Sequence, residues 1–264
     1  METGDTSRDP DLQRQFFDLV LPLEGIKDGF DTFPRPIEPE LTNEGIPKGH
    51  IVNMGDFNPH NNGLLLIAGK PASGKTTVSK KLVSAWDEAG TGISLTHVST
   101  GDTLRSIASG EINSQFKRDV KSHSDELRQA LPLPYSLVAD VLLEALNTRT
   151  ERLILLDGHP RYPEEINDTL GFARFTRRKI LGLVELTVPD EVAKTRMLSR
   201  QKQGEKKFEE ADVERRIAEY RETLGITILG LVAGHKIEYH EIKSEKVVER
   251  VAEDLGKIVL SKYN

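Results

Sequence analysis

A glycine-rich segment that could bind phosphate lies near residue 70. It reads GKPASGKT from Gly69 to Thr76 and matches the pattern G-x-x-x-x-G-K-[ST] at each fixed position. In such segments the glycines let backbone N–H groups turn towards phosphate oxygens, the lysine reaches the β- and γ-phosphates, and the following hydroxyl can bind Mg²⁺. The residues predicted to bind a nucleoside triphosphate here are Gly69, Ala72, Ser73, Gly74, Lys75, Thr76 and Thr77.

Arginine and aspartate side chains that could serve the same chemistry follow later in the chain. Asp157 ends the apolar run 153–156, where a Mg²⁺-ordering carboxylate would belong. Arg196 and Arg200 are four residues apart and would project from one face of a helix, either towards phosphate or as a solvated basic face. Phosphoryl transfer between two anions needs positioning and charge neutralisation, which guanidinium groups supply by gripping phosphate bidentately. These residues therefore favour phosphoryl transfer.

Short apolar runs alternate with helical patterns from Gly63 onward, and these elements must position the polar residues. The apolar runs are 64–68, 93–98, 153–156, 183–188 and 236–242. The helical patterns cover 75–88, 134–146, 191–201, 211–224 and 245–260. This alternation predicts an α/β fold of the P-loop NTPase type, a doubly wound parallel sheet of five strands with helices on both faces. Ligands of such sheets bind at the carboxyl ends of the strands, where the glycine-rich segment lies.

The composition excludes several classes of protein. The chain has 264 residues and no cysteine, which excludes a disulfide scaffold and thiolate-bound zinc. Its longest aliphatic run, residues 64–68, is far shorter than the ~20 residues of a membrane span, and the first residues lack a secretory signal pattern. A net charge of -6 argues against a general nucleic-acid binder. We therefore expect a monomeric, cytoplasmic protein without membrane or nucleic-acid partners.

The charge divides the chain into two parts. Residues 1–62 carry a net charge of -7 and seven of the 13 prolines, whereas residues 63–264 carry a net charge of +1. Proline removes backbone donors and favours extended geometry in the residue before it. We therefore expect residues 1–62 to form an acidic extension, partly disordered or docked on a main domain at 63–264.

Two further motifs complete a resemblance to a known family. The sequence STGDTLR, residues 99–105, follows the second predicted strand, and DGHPR, residues 157–161, follows the third. Together with the glycine-rich segment and the later arginines, they resemble nucleoside monophosphate kinases of the adenylate kinase family over residues 63–264. The resemblance implies Mg²⁺-dependent, reversible phosphoryl transfer from ATP to a nucleoside monophosphate. It also implies an acceptor flap at about 101–133 and a short lid at about 201–208.

The resemblance assigns a role to each matching residue. The residues implied to bind the acceptor are Thr100, Arg105, Gly158, Arg161, Glu165 and Arg216. Those implied to order Mg²⁺ are Thr76, Asp102 and Asp157. Those implied to be catalytic are Lys75, Arg161, Arg196, Arg200 and Arg216, with Arg196 also on the ATP side.

Four departures from the family pattern bear on these roles. The lid carries Lys202, Lys206 and Lys207 where short-lid members have an arginine, so Lys206 or Lys207 would have to replace it. His159 stands where phenylalanine is usual, either as a packing replacement or as a pH-sensitive contact. The connection 106–133 is longer than usual. Glu165 takes the position of a base-reading glutamine, and an ionised carboxylate can only accept hydrogen bonds, which suits guanine.

The acceptor base is the main alternative left open. Thr100 matches members that use AMP, whereas Glu165 would favour GMP, so we expect AMP and keep GMP and the pyrimidine monophosphates as alternatives. Two other possibilities are a non-catalytic nucleotide sensor that reports to a partner and a kinase with a non-nucleotide acceptor.

Overall fold

The computed structural model describes residues 62–199 and 208–262. The predicted extension lies outside the described residues except for Asn62. The predicted lid lies outside them except for Phe208, and so do Arg200 and the three lid lysines. The acidic extension and the short lid therefore stay predictions from the sequence.

Five parallel strands form the sheet of the described residues. They are β1 Gly63–Ala68, β2 Leu95–Ser99, β3 Leu153–Asp157, β4 Lys179–Thr187 and β5 Tyr239–Lys243. Their order is β2-β3-β1-β4-β5, which confirms the predicted five-stranded parallel sheet. The central strand β1 is buried along its whole length, as its unbroken apolar sequence predicts.

Nine α-helices accompany the strands among the described residues. They are α1 Lys75–Glu88, α2 Thr100–Ser109, α3 Lys117–Ser122, α4 Ser124–Gln129, α5 Tyr135–Asn147, α6 Ile166–Phe175, α7 Asp190–Ser199, α8 Glu210–Leu229 and α9 Val248–Ser261. Helix α1 has the bounds that the sequence predicts. Helices α2, α3 and α4, in the predicted flap, and α6, after β3, were not predicted from the sequence.

The predicted bounds of several elements were wrong: α8 ends at Leu229, five residues later than predicted, α9 begins at Val248, three residues later, and β2 begins at Leu95, two residues later. For two strands the pairing with a neighbouring strand explains the difference. Strand β4 begins at Lys179, four residues before the predicted start at Leu183, because Lys179 and Ile180 pair with Gly63 and Leu64 of β1. Strand β5 begins at Tyr239, three residues later than predicted, where pairing with Leu183 starts. In both cases the partner strand sets the start.

Three separate clusters make up the hydrophobic core of the described residues. Successive side chains of β1 point to opposite faces of the sheet, so Leu64 and Leu66 join one large cluster while Leu65 and Ile67 join the other. A third, small cluster lies between α7 and α8 and contains Val188, Ala193, Met197, Phe208, Val213 and Ile217. Helix α8 also reaches the first cluster through Leu224.

Candidate active site

The glycine-rich segment turns the chain from β1 into the first turn of α1. Gly69 has φ of 141°, and a Cβ there would lie 2.4 Å from the carbonyl oxygen of Leu186, so no larger residue fits. The ammonium group of Lys75 donates to the carbonyls of Gly69 at 2.6 Å and Lys70 at 3.1 Å. These contacts hold its charge across the turn, next to the helix N-terminus, an arrangement that can surround a phosphate group.

Thr76 and Asp157 meet at the carboxyl end of the sheet. The Thr76 hydroxyl donates to Oδ2 of Asp157 at 2.7 Å, and Nε2 of His97 lies 3.4 Å from the same oxygen. Burial by itself raises the pKa of Asp157, but the nearby His97 ring, the charge of Lys75 and the Thr76 hydroxyl outweigh it and lower the pKa below its usual value. Asp157 is therefore an ionised, buried carboxylate beside a hydroxyl.

The Thr76 hydroxyl and the Asp157 carboxylate are oxygen ligands that fit Mg²⁺. This ion binds proteins through one or two carboxylates and completes its shell with water and substrate phosphates. The described residues hold no group of three or more histidine, aspartate or glutamate side chains that could bind a metal ion. A Thr76–Asp157 site that relies on nucleotide phosphates is consistent with that finding. Asp102 pairs with Arg105 at 2.6 Å and with Lys80 at 3.2 Å.

The DGHPR motif forms a tight loop after β3, which we call the acceptor loop, residues 158–162. Gly158 has φ of 83°, and a Cβ there would lie 3.2 Å from Nη2 of Arg161. Nε of Arg161 donates to the carbonyl of Gly158 at 3.1 Å, and the buried Thr100 hydroxyl donates to the carbonyl of Asp157 at 3.2 Å. The loop thus fixes the arginine against its own backbone.

Two buried side chains meet at the acceptor loop, His159 within the loop and Glu165 just after it. Oε2 of Glu165 accepts from the backbone N–H of Arg161 at 2.6 Å and from that of Tyr162 at 3.4 Å. Nδ1 of His159 lies 3.3 Å from the same oxygen, although neither ring nitrogen has hydrogen-bond geometry, and the ring packs against Phe172. Burial, reinforced by the charge of Arg161, lowers the pKa of His159 to about 3, so the ring is neutral at physiological pH.

Replacing His159 by phenylalanine is expected to weaken acid destabilisation. Between its ordinary value of 6.5 and about 3, His159 is protonated in the unfolded but not in the folded chain. The free energy of unfolding therefore falls as the pH drops below 6.5, on the order of 1.4 kcal/mol per pH unit, or about 2 kcal/mol by pH 5. Urea unfolding at pH 7.5 and pH 5 should show this drop reduced by that amount in the variant.

The exposed His235 provides the matched control for this experiment. His235→Gln removes a histidine without removing a buried ring, so its acid destabilisation should equal that of the original chain. An equal drop in the His159→Phe variant would contradict the assignment of a neutral, buried His159.

Three cavities are lined by the predicted ATP-side, acceptor-side and catalytic residues that the structure describes, except Thr76. The three residues predicted to order Mg²⁺, Thr76, Asp102 and Asp157, line none of these cavities. The central cavity lies between the glycine-rich turn, the acceptor loop and α8. The flap cavity lies between the predicted flap and the acceptor loop. The outer cavity lies between the glycine-rich turn, α7 and the start of α9.

The predicted ATP-side and acceptor-side residues separate between these cavities. The outer cavity is lined by Ala72, Ser73, Gly74, Thr77 and Arg196. The flap cavity is lined by Thr100, Arg105, Gly158, Arg161, Glu165 and Arg216. The central cavity is lined by Gly69, Lys75, Gly158, Arg161 and Arg216. Gly158, Arg161 and Arg216 thus line two cavities, and Lys75 lines the central one with them.

Contacts of Arg196 and Arg216 join the lid-side helices to this site. On α7, Arg196 donates to the carbonyls of Ala72 at 3.4 Å and Ser244 at 3.1 Å. On α8, the guanidinium of Arg216 lies 4.8 Å from the ring centroid of Phe208. Both arginines therefore lie where the chain enters or leaves the predicted lid.

The residues that bind the acceptor loop to α8 were not predicted from the sequence. The Tyr162 hydroxyl donates to Glu219, and the Thr227 hydroxyl donates to the carbonyl of Arg161 at 3.1 Å. Burial, reinforced by this hydrogen bond and the charge of Glu219, raises the pKa of Tyr162. One signal was available, since Glu219 follows Arg216 by three residues and shares its helix face.

Among residues 62–199 and 208–262, no helix is both long enough and apolar enough to cross a membrane. The AAA domain family matches residues 68–214. An adenylate kinase of Campylobacter lari is 30% identical over 201 residues, which cover 74% of this chain and 96% of that protein. Adenylate kinases of Sulfurovum sp. and Helicobacter pylori are each 26% identical, over 75% and 76% of this chain and 98% of each relative.

Proposed function

The chain belongs to the adenylate kinase family, and we propose that it transfers the γ-phosphoryl group of ATP reversibly to AMP in the presence of Mg²⁺. It is a phosphotransferase, a nucleoside monophosphate kinase. A monomeric state, a cytoplasmic location, and the absence of nucleic-acid partners stay predictions from the sequence.

One observation carries this proposal, namely the separation of the predicted residues between an outer and a flap cavity. ATP would enter the outer cavity, with its phosphates on the glycine-rich turn, and the monophosphate would enter the flap cavity. The two phosphate groups would meet in the central cavity, between Lys75, Arg161 and Arg216. Three cations at this meeting point supply the charge neutralisation that transfer between two anions requires.

The contacts of the flap cavity support the proposed base preference. The buried Thr100, which matches the AMP-using members, lines this cavity. Recognition of guanine would need a free accepting carboxylate at Glu165, but Oε2 of that carboxylate already accepts from the acceptor loop. These contacts support AMP over GMP.

The chemistry divides between the bound ion and the side chains. Thr76 and Asp157 would hold Mg²⁺, which would neutralise charge on the nucleotide phosphates. Lys75 would bind the β- and γ-phosphates, Arg105 and Arg161 the acceptor phosphate, and Arg196 the ATP side. A role for Asp102 at the metal stays a prediction, because its described partners are Arg105 and Lys80.

Arg216 would bridge the two substrates from α8. An oxygen of the acceptor phosphate would attack the γ-phosphorus in line as the bond from that phosphorus to the β-phosphate oxygen breaks, which yields two molecules of ADP. Exclusion of water from this step is needed because an open site would hydrolyse ATP.

A panel of acceptors tests the proposal. Purified enzyme with ATP and Mg²⁺ is incubated with AMP, GMP, CMP, UMP or dCMP, and diphosphate formation is compared with a control lacking acceptor. We expect turnover of AMP to exceed that of each other monophosphate. Preferred turnover of another base would contradict AMP as the acceptor, and ATP binding without turnover of any monophosphate would contradict the proposed reaction.

A further inference from the structure

Glu165 is a buried carboxylate whose position is set by the acceptor loop. The residue is 4% exposed and ends the single helical turn Pro163–Glu165 that follows the loop. Its Oε2 lies 2.6 Å from the backbone nitrogen of Arg161, a short contact typical of a charged acceptor. The N–H of Tyr162 adds a longer contact at 3.4 Å. The shorter of the two hydrogen bonds to the Glu165 carboxylate therefore comes from the backbone N–H of Arg161.

A carboxylate is costly to bury, and this one is only partly compensated. Burial raises the pKa of Glu165, while the N–H group and the charge of Arg161 oppose that rise. His159, whose ring is neutral, lies on the same oxygen without a hydrogen bond. The compensation for burying this carboxylate thus comes mainly from Arg161.

Arg161 itself is held at three atoms of its backbone and side chain. Its N–H donates to Glu165, its carbonyl accepts from Thr227 on α8, and its Nε donates to the carbonyl of Gly158. The first and the third of these contacts each involve an ionised group, the Glu165 carboxylate and the Arg161 guanidinium, and the first is the shortest of the three at 2.6 Å. Removing the charge of Glu165 would weaken this shortest contact.

We infer that Glu165 is a positioning residue, which fixes the acceptor-phosphate arginine Arg161 through the loop backbone instead of reading the acceptor base. The inference rests on the proposed function, because it assigns Arg161 to the phosphate of the monophosphate. It differs from the base-reading role that the sequence implies. A base reader changes the ratio between bases, whereas a residue acting through Arg161 changes the affinity for every monophosphate equally.

Glu165→Gln separates these two roles, and the neighbouring, exposed Glu164→Gln is its matched control. With the full chain, we expect Glu165→Gln to raise KM for AMP and for GMP by the same factor, about tenfold, as fits loss of the charge in one hydrogen bond. KM for ATP should change by less than about twofold, and Glu164→Gln should behave like the original chain. A change of more than about tenfold in the AMP-to-GMP ratio of kcat/KM, or an unchanged KM for both, would overturn the inference.

A second measurement excludes a merely structural role. Calorimetric titration with AMP should show the tenfold loss of affinity from Glu165→Gln in the original chain but less than about twofold in an Arg161→Ala background. Equal losses in both backgrounds would mean that Glu165 does not act through Arg161. If Glu165→Gln fails to fold by circular dichroism, Glu165→Asp replaces it, since the shorter carboxylate keeps the charge but withdraws from the N–H of Arg161.

The outcome for the original chain distinguishes the inference from the proposed function. If the original chain is active and Glu165→Gln leaves KM for AMP and for GMP unchanged, the inference is overturned and the proposed function stands. An original chain that turns over no monophosphate would overturn the function, and the inference would fall with it.

Discussion

Replacing Arg161 by alanine is expected to lower kcat/KM for AMP by about a thousandfold or more. Arg161 lines both the central and the flap cavity, so its guanidinium can bind the acceptor phosphate before and during transfer. Arginines that stabilise a transferring phosphoryl group contribute on the order of 10³ to 10⁵ in rate. Steady-state kinetics at saturating ATP would measure the loss, and KM for ATP should change little because Arg161 is absent from the lining of the outer cavity.

Arg174→Ala serves as the control for this variant. Arg174 is an exposed arginine in the last turn of α6, after the acceptor loop. Its removal changes the net charge by the same amount and should leave kcat/KM within about twofold. Undiminished transfer in Arg161→Ala would remove this residue from the acceptor phosphate.

Replacing Lys75 by methionine should lower kcat by about a thousandfold with any acceptor. The ammonium group of Lys75 lies across the glycine-rich turn, and Lys75 lines the central cavity with Arg161 and Arg216. Methionine keeps the length of the chain but removes the charge that would stabilise the transferring phosphoryl group, and loss of one such donor costs about 10² to 10³ in rate. Single-turnover measurements would separate this loss from weaker ATP binding.

Lys81→Met is the matched control on the same helix. Lys81 is exposed, and its nearest acid among the described contacts is Glu249 at 3.8 Å. It should retain full activity. A Lys75→Met enzyme that keeps more than a tenth of the original kcat would show that the glycine-rich turn does not place this lysine on the reacting phosphates.

The sequence predicted the elements whose pattern is local. The apolar residues of β1 and the motif that starts α1 are contiguous in the chain, and both elements formed where expected. Helices α3 and α4 were missed because each has only six residues, too few for a helical period to stand out. The start of β4 depends on pairing with β1, more than 100 residues earlier, which no local pattern contains.

In the candidate site too, residue types and their order could be read from the sequence, whereas contacts between distant residues could not. Motif matching selected residues that line one outer and one flap cavity, because residue type and order are visible in the chain. The partners of Glu165 were not visible, because they are backbone N–H groups whose direction depends on the folded acceptor loop. Likewise, the hydrogen bond from Tyr162 to Glu219 joins positions 57 residues apart.

The two ends of helix α8 pack in different hydrophobic clusters, so substitutions at one end need not affect the packing of the other. Val213 and Ile217 pack in the small cluster beside α7, whereas Leu224 packs in a sheet core. Since separate packing units can open with separate free energies, the small cluster can loosen while the sheet remains folded. Substitutions in that cluster can therefore change the free energy needed to separate α7 from α8 without destabilising the sheet.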